Sequence, residues 1–341
     1  MPIDLNETAE QRAILASLRR VLQDHFDPAR LLGADCVDAG RLARLRDFGA
    51  LAMGADESVG GAGLSLVEEV QVFIELGRHL LTPAALAAAV AGRLAAATGQ
   101  AGLARDIVAG RQPVCCVLAA GMSSPPALEA VAAHLVDAQG APLALWWGHG
   151  GTALLRTDAL EPQAPVASID RTLELVPCRL RASAVVACQS AGAGSLHREA
   201  DLLVAAQQLG IAQATRDMAV AYATLRRQFG QPIGAFQAIK HRCANMAIKA
   251  EVLCALLMFA TMAQRDGWDD AAHQVDACRL LATRYALENA RDNIQIHGGT
   301  GFSAQSTAHL FLLRCHLYEH LGGAGDALVQ RLADGAAAGA P

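Results

Sequence analysis

From about residue 197 to residue 320 one pattern governs the chain. Apolar residues recur at helical spacing through segments of about 197–227, 235–265, 269–296 and 304–320, broken only by short links rich in Gly, Pro, Ser and Asp. The first three are more than twice the ~11–12 residues of a mean helix. An amphipathic helix of that length must bury its stripe on neighbours, and short links make those neighbours antiparallel, so the C-terminal part is expected to be a helical bundle. Composition agrees: 53% of residues are apolar, 18% charged and only 4% aromatic. Bulk therefore comes from helices packed on Ala and Leu rather than from aromatic-rich strands.

The chain has 341 residues, beyond the roughly 250–300 at which one core stops growing. Thr8 and Gln11 suggest a capping box opening a helix with Ile14, Leu18, Val21 and Leu22 on one face. A second amphipathic segment lies around 42–51. Glu57 to Gly63 holds three glycines in four residues and reads as a tight turn. Another helix follows with Leu66, Val70, Phe73, Ile74 and Gly77 in a stripe, and 83–109 is Ala-rich and helical. Between about 112 and 193 the texture changes to short apolar runs near 113–118, 134–137, 143–147, 152–155 and 173–176, separated by Gly, Pro and Ser, which predict a modest sheet. The expected organisation is mostly α: a helical domain (1–111), a small, reduced β domain (112–193) and a bundle (194–341).

Twenty-eight basic against 33 acidic residues give −5 without long runs of either sign. Neither a nucleic-acid footprint nor a polybasic membrane patch is present. The most apolar run, 84–90, is far shorter than the ~18 residues of a membrane helix, and the first residues lack a signal-peptide pattern. The nine cysteines, an odd number without a Cys-x-x-Cys, read as reduced thiols of a cytoplasmic protein. His309, His316 and His320 stand at helical spacing without a second acidic cluster, so they read as core or partner-facing residues, and no metal site is expected.

Two stretches carry chemistry. Tyr222-Ala-Thr-Leu-Arg226-Arg227-Gln228-Phe229-Gly230-Gln231-Pro232 ends one long helix, and Phe236 and Gln237 open the next. Blandly, Arg226 and Arg227 complement a helix C-terminus and Gly230 caps it. Functionally, Arg226 presents a guanidinium fork to a diphosphate and Phe229 a flat face. The second stretch, Gln295-Ile-His297-Gly298-Gly299-Thr300-Gly301-Phe302, ends another long helix with glycines that let backbone approach an anion or a planar ring.

Taken together, these stretches resemble the C-terminal domain of the flavin-dependent acyl-CoA dehydrogenases. The turn at Glu57–Gly63 and the helix from Glu68 to Gly77 resemble the family's N-terminal part. The resemblance implies an N-terminal helical domain, a middle β domain and a C-terminal four-helix bundle. It implies FAD as cofactor, with Arg226, Gln228 and Phe229 reaching the diphosphate and adenosine of a neighbouring subunit's FAD. Phe236 and Gln237 lie close by, and Gln295, Gly298 and Gly299 line the other flank, with His297 near the flavin edge. The implied reaction removes a proton beside a CoA thioester while a hydride passes to the flavin, with an electron-transfer flavoprotein as acceptor.

The sequence departs from the family at two places. A Tyr-Thr-Glu-x-Gly-x-Gly-Ser-Asp-like loop and a Trp-Ile-Thr/Ser strand do not occur between 112 and 193. The nearest stretches are Ala120-Gly-Met-Ser-Ser and Trp146-Trp147-Gly-His149-Gly-Gly151, which differ in order and chemistry. The position of the usual glutamate base falls on Gly322, which cannot take a proton; Glu319 lies one helical turn earlier. The base position that other members use at the start of the first bundle helix falls on Ala200, flanked by Glu199 and Asp201 about 100° to either side, which a first-turn dipole role also explains. Bacterial members acting on steroid side-chain CoA thioesters pair unequal subunits in heterotetramers, and this chain resembles the shorter partner, lending the Arg226 side of a cofactor site to a chain that carries the base. The alternatives are a self-sufficient homo-oligomer using Asp201 or Glu199 as base, and a flavin-free structural or regulatory homologue. No residue argues for hydratase-like or oxygenase-like chemistry.

Overall fold

A computed structural model describes residues 8–33, 39–119, 131–192, 195–323 and 325–338. Cys36, the Ala120–Ser124 stretch, Gly194 and Ala324 lie outside the described residues. Helix α1 (Ala9–His25) starts at the expected box: Thr8 Oγ1 accepts from Gln11 N at 3.2 Å while Gln11 Oε1 accepts from Thr8 N at 2.9 Å. Helices α2 (Ala39–Asp47), α3 (Leu66–Arg78), α4 (Ala84–Ala97) and α5 (Ala101–Val108) complete the first helical unit. Ser65 and Glu68 form a second capping box at α3.

The sheet is larger than expected. Six strands, β1 (Val114–Ala119), β2 (Val131–Val136), β3 (Leu143–Gly148), β4 (Gly151–Arg156), β5 (Leu175–Leu180) and β6 (Val185–Ser190), lie in the order β5-β2-β1-β3-β4-β6. Strand β6 was not legible because Val-Val-Ala-Cys-Gln-Ser lacks alternation and follows a 3₁₀ turn at Ala182–Ala184 without a Gly or Pro boundary. Alternation splits β3 between two layers: Leu143, Leu145 and Trp147 join the core shared with the helices, whereas Ala144 and Trp146 join a second core on the other face. Trp147 therefore points into the bundle.

Helices α6 (Leu196–Leu225), α7 (Gln237–Asp266), α8 (Ala271–His297) and α9 (Ala308–His320) correspond to the four periodic segments. A further helix, α10 (Asp326–Ala338), was not expected; Arg331 ties it to α8 through two contacts with Asp276, at 2.8 and 2.9 Å. By length and apolar composition α7, not the 84–90 run, comes nearest to a membrane span, with a window of mean hydropathy 1.8. One face of it, including Met246, Ala250, Leu253, Leu257 and Ala260, is buried in the fold. Helices α3 and α6 touch backbone to backbone. A Cβ at Gly77 would lie 2.1 Å from the Gln207 carbonyl oxygen, and one at Gly210 2.0 Å from that of Ile74.

Buried Arg314 of α9 ties the units together. Its Nε donates to Asp170 Oδ2 at 2.7 Å, Nη1 to the carbonyls of Leu80 and Leu81 at 2.6 and 2.7 Å, and Nη2 to Thr172 Oγ1 at 2.8 Å. No disulfide joins the described cysteines; five are buried, Cys243 and Cys254 are half-buried, and Cys188 is exposed rather than in a core.

Candidate functional site

The expected cofactor residues occupy the end of the bundle where α6 and α8 both stop. Helix α6 ends at Leu225, and Arg226 turns extended (φ −69°, ψ 127°). The chain then forms a two-stranded hairpin, β7 (Arg227–Gln228) with β8 (Gln231–Pro232). Phe229 (φ 50°) and Gly230 (φ 78°) make its two-residue turn, the conformation a tight hairpin needs at both positions. Gly230 is thus a hairpin residue, not the helix cap of the bland reading. Phe229 is 91% exposed, an unusual place for an aromatic ring on left-handed backbone. The half-buried Phe236 meets it edge to face with centroids 6.1 Å apart.

Arg226, Gln228 and Gln237 are exposed, and among the described residues the Arg226 side chain has no ion pair or hydrogen bond. Gln295, Gly298 and Gly299 are also exposed. Gly298 takes φ 60°, ψ −140°, and Cβ atoms added at Gly298 or Gly299 would meet nothing within 4 Å. An unpaired guanidinium, an open glycine shelf and an exposed aromatic face are the donor set and clearance that a dinucleotide with a diphosphate and planar rings requires, so these residues fit FAD. His297 stacks on Tyr222, with ring centroids 4.2 Å apart.

The two positions that could hold a base converge at the opposite end of α6. A Cβ on Gly322 (φ 73°) would lie 2.7 Å from Asp201 Oδ1 and 2.4 Å from Trp147 Nε1. Trp147 Nε1–H donates to Asp201 Oδ1 at 3.2 Å, and Arg279 Nε stands 3.9 Å from the same oxygen. Burial pushes the Asp201 carboxyl up to about 6, against the opposing pull of Arg279 and the Trp147 N–H. The same burial lowers Arg279. Arg279 also donates to Gln208 Oε1 at 2.7 Å, to Thr283 Oγ1 at 2.8 Å and to the carbonyls of Tyr318 and Leu321, so it holds the turn that carries Gly322.

Glu199 lies elsewhere. Arg93 Nη1 bridges Glu199 Oε2 at 3.0 Å and Glu69 Oε2 at 2.6 Å. Burial raises the Glu199 carboxyl, partly offset by Arg93. Glu319 pairs with His316 at 3.2 Å; His309 has a buried Nδ1 without a partner, and His320 is exposed. Sequence reading missed the roles of Trp147 and Arg279. The available signal was a lone Arg among Val275, Cys278 and Ala282, an otherwise apolar stripe of α8.

A helical unit, a six-stranded sheet and a bundle with an open end of Arg, Phe and Gly residues are the architecture of a flavin-dependent dehydrogenase. The acyl-CoA dehydrogenase C-terminal domain matches residues 195–337 and the N-terminal domain residues 8–102. Acyl-CoA dehydrogenase FadE34 of Mycobacterium tuberculosis is 37% identical over 47% of this chain, a stretch that spans only 23% of that longer protein. Acyl-CoA dehydrogenase IpdE2 of the same organism is 29% identical over 90% of this chain and 91% of its own length. The solved Tcur3481–Tcur3483 steroid ACAD superimposes with TM-score 0.82 and 25% identity, covering 97% of this chain and 98% of that one. The chain belongs to the acyl-CoA dehydrogenase family, FAD-dependent oxidoreductases acting on acyl-CoA.

Proposed function

We propose that this chain is one of two unequal subunits of an acyl-CoA dehydrogenase, lending the Arg226 and Gly298 arms to a cofactor site whose base sits on a related partner chain. The observation that carries this reading is at Gly322. Where the family's glutamate is expected there is a glycine with no room for a side chain, because Trp147 and the Asp201 carboxylate fill the space. Asp201 in turn is committed to Trp147 and Arg279, and Glu199 to Arg93. Neither carboxylate stands free to meet a substrate proton.

When bound, FAD supplies the hydride acceptor for α,β-dehydrogenation of the thioester. This chain's part is to bind and orient: Arg226 neutralises diphosphate charge, Gln228 and Gln237 add polar contacts, Phe229 and Phe236 flank a ring, and Gln295, Gly298 and Gly299 close the opposite side. The likeness to the steroid ACAD supports a bulky substrate such as a steroid side-chain CoA thioester and an assembly of the heterotetramer kind. An electron-transfer flavoprotein is the proposed acceptor, and the free thiols support a cytoplasmic setting. The test is to purify the chain alone and co-expressed with candidate partner chains. Flavin absorbance and acyl-CoA oxidation are expected only in the co-expressed complex, and Arg226→Ala is expected to strip the flavin. Stoichiometric FAD and turnover in the chain alone would overturn the two-subunit reading.

A further inference from the structure

The two arms assigned to the cofactor leave the bundle from different helices, and one side-chain pair joins them. The rings of Tyr222 and His297 stack with planes 24° apart. Tyr222 lies one turn before Arg226, whose N–H donates to the Tyr222 carbonyl at 2.8 Å. His297 is the last residue of α8 and directly precedes Gly298. Its Nδ1–H donates to the Asn293 carbonyl at 2.8 Å. A carbonyl can only accept, so this bond holds the ring's orientation against the tyrosine.

Beneath the pair lies a small core separate from the main one: Ala219, Ala223, Met246 and Ile296 are buried, with Tyr222, Ile233, Ile239 and Cys243 packed against them. Both arms fold back onto this base. A Cβ at Gly301 would lie 3.0 Å from His297 Cβ, and one at Gly234 3.0 Å from the Ala223 carbonyl oxygen. Ala219 and Ala223 of α6 and Ile296 of α8 pack together in this core and hold the two helices side by side, and the stacked rings lie at the last turn of both helices, next to the two arms. A rigid dinucleotide can be gripped by a guanidinium on one arm and a glycine shelf on the other only at a set spacing.

We propose that Tyr222 and His297 are positioning residues: their stack sets the spacing between the Arg226 hairpin and the Gly298 turn, and through it the affinity for FAD. This inference rests on the reading of the arms as a cofactor half-site. Its test uses the complex of this chain with its partner, freed of flavin and titrated with FAD while flavin fluorescence is followed, with native mass reporting assembly. His297→Ala and Tyr222→Ala are each expected to weaken FAD binding about tenfold, the scale of one well-formed aromatic pair, with the assembled mass unchanged. His297→Phe and Tyr222→Phe keep a stack and are expected to bind within about twofold of the unaltered complex. Arg226→Ala tests the half-site itself. If it weakens FAD while His297→Ala and Tyr222→Ala do not, the positioning role is wrong and the half-site stands. If Arg226→Ala also leaves FAD binding unchanged, the half-site reading fails and takes this inference with it. Phenylalanine variants as weak as the alanine ones, or alanine variants that dissociate the subunits, would equally overturn it.

Discussion

Asp201→Asn separates a buried structural carboxylate from a base, and the structure sets both sign and size. Burial lifts the Asp201 carboxyl from 3.8 to about 6. Between those values the folded chain holds a proton that the unfolded chain has released, so folding is favoured most below pH 4 and loses ground as pH rises through 6. At 1.36 kcal/mol per pH unit, the contribution lost by pH 7.5 is about 3 kcal/mol. Asparagine has nearly the same volume, its carbonyl oxygen still accepts the Trp147 N–H, and Arg279 keeps its acceptors on Gln208, Thr283, Tyr318 and Leu321. The variant cannot titrate. Denaturant unfolding of both proteins from pH 4 to 7.5, a range that begins just above the unfolded value, is therefore expected to show the stability difference moving by about 2 kcal/mol in favour of asparagine. A difference that stays constant across that range would refute the electrostatic reasoning. Turnover of the co-expressed complex adds a second readout. It is expected to survive Asp201→Asn, and a loss of about a thousandfold in kcat with flavin still bound would restore Asp201 as the base.

Two further substitutions probe packing. Gly322→Glu places a side chain on left-handed backbone and against Trp147 and Asp201. It is expected to cost about 2–6 kcal/mol, from backbone strain plus overpacking, and to bring no turnover to the chain alone; an unchanged denaturation midpoint would count against the filled-space argument. Arg314→Met leaves Asp170 charged and buried without its partner and is expected to cost about 3–5 kcal/mol. Calorimetry of the single variant against Arg314→Met with Asp170→Asn should show the double change recovering part of that loss.

Local periodicity made the four bundle helices and the Thr8–Gln11 cap legible, because each depends on residues three or four apart. The residues proposed to hold the cofactor were legible as two motifs, Arg226–Gly230 and Gln295–Gly301, each contiguous in the chain. Strand β6 and helix α10 were not: β6 draws its stability from pairing with β4, and α10 is held to α8 by Arg331 on Asp276. Neither partner is near in sequence. The resemblance to the family also pointed to Gly322 and Ala200 as the positions where a base would stand, with Asp201 and Glu199 flanking the second.

What those two carboxylates do was decided by distant residues. Asp201 meets Trp147 across 54 positions and Arg279 across the bundle, while Glu199 meets Arg93 of the first helical unit. Composition, periodicity and motif order are written residue by residue, so one chain read alone specifies a mostly helical protein with a small sheet and two Gly-rich motifs at helix ends. Whether a given carboxylate faces substrate or is locked in a buried pair depends on which helices and strands meet, and that meeting is set by packing of whole faces, such as the backbone contact of α3 on α6 at Gly77 and Gly210.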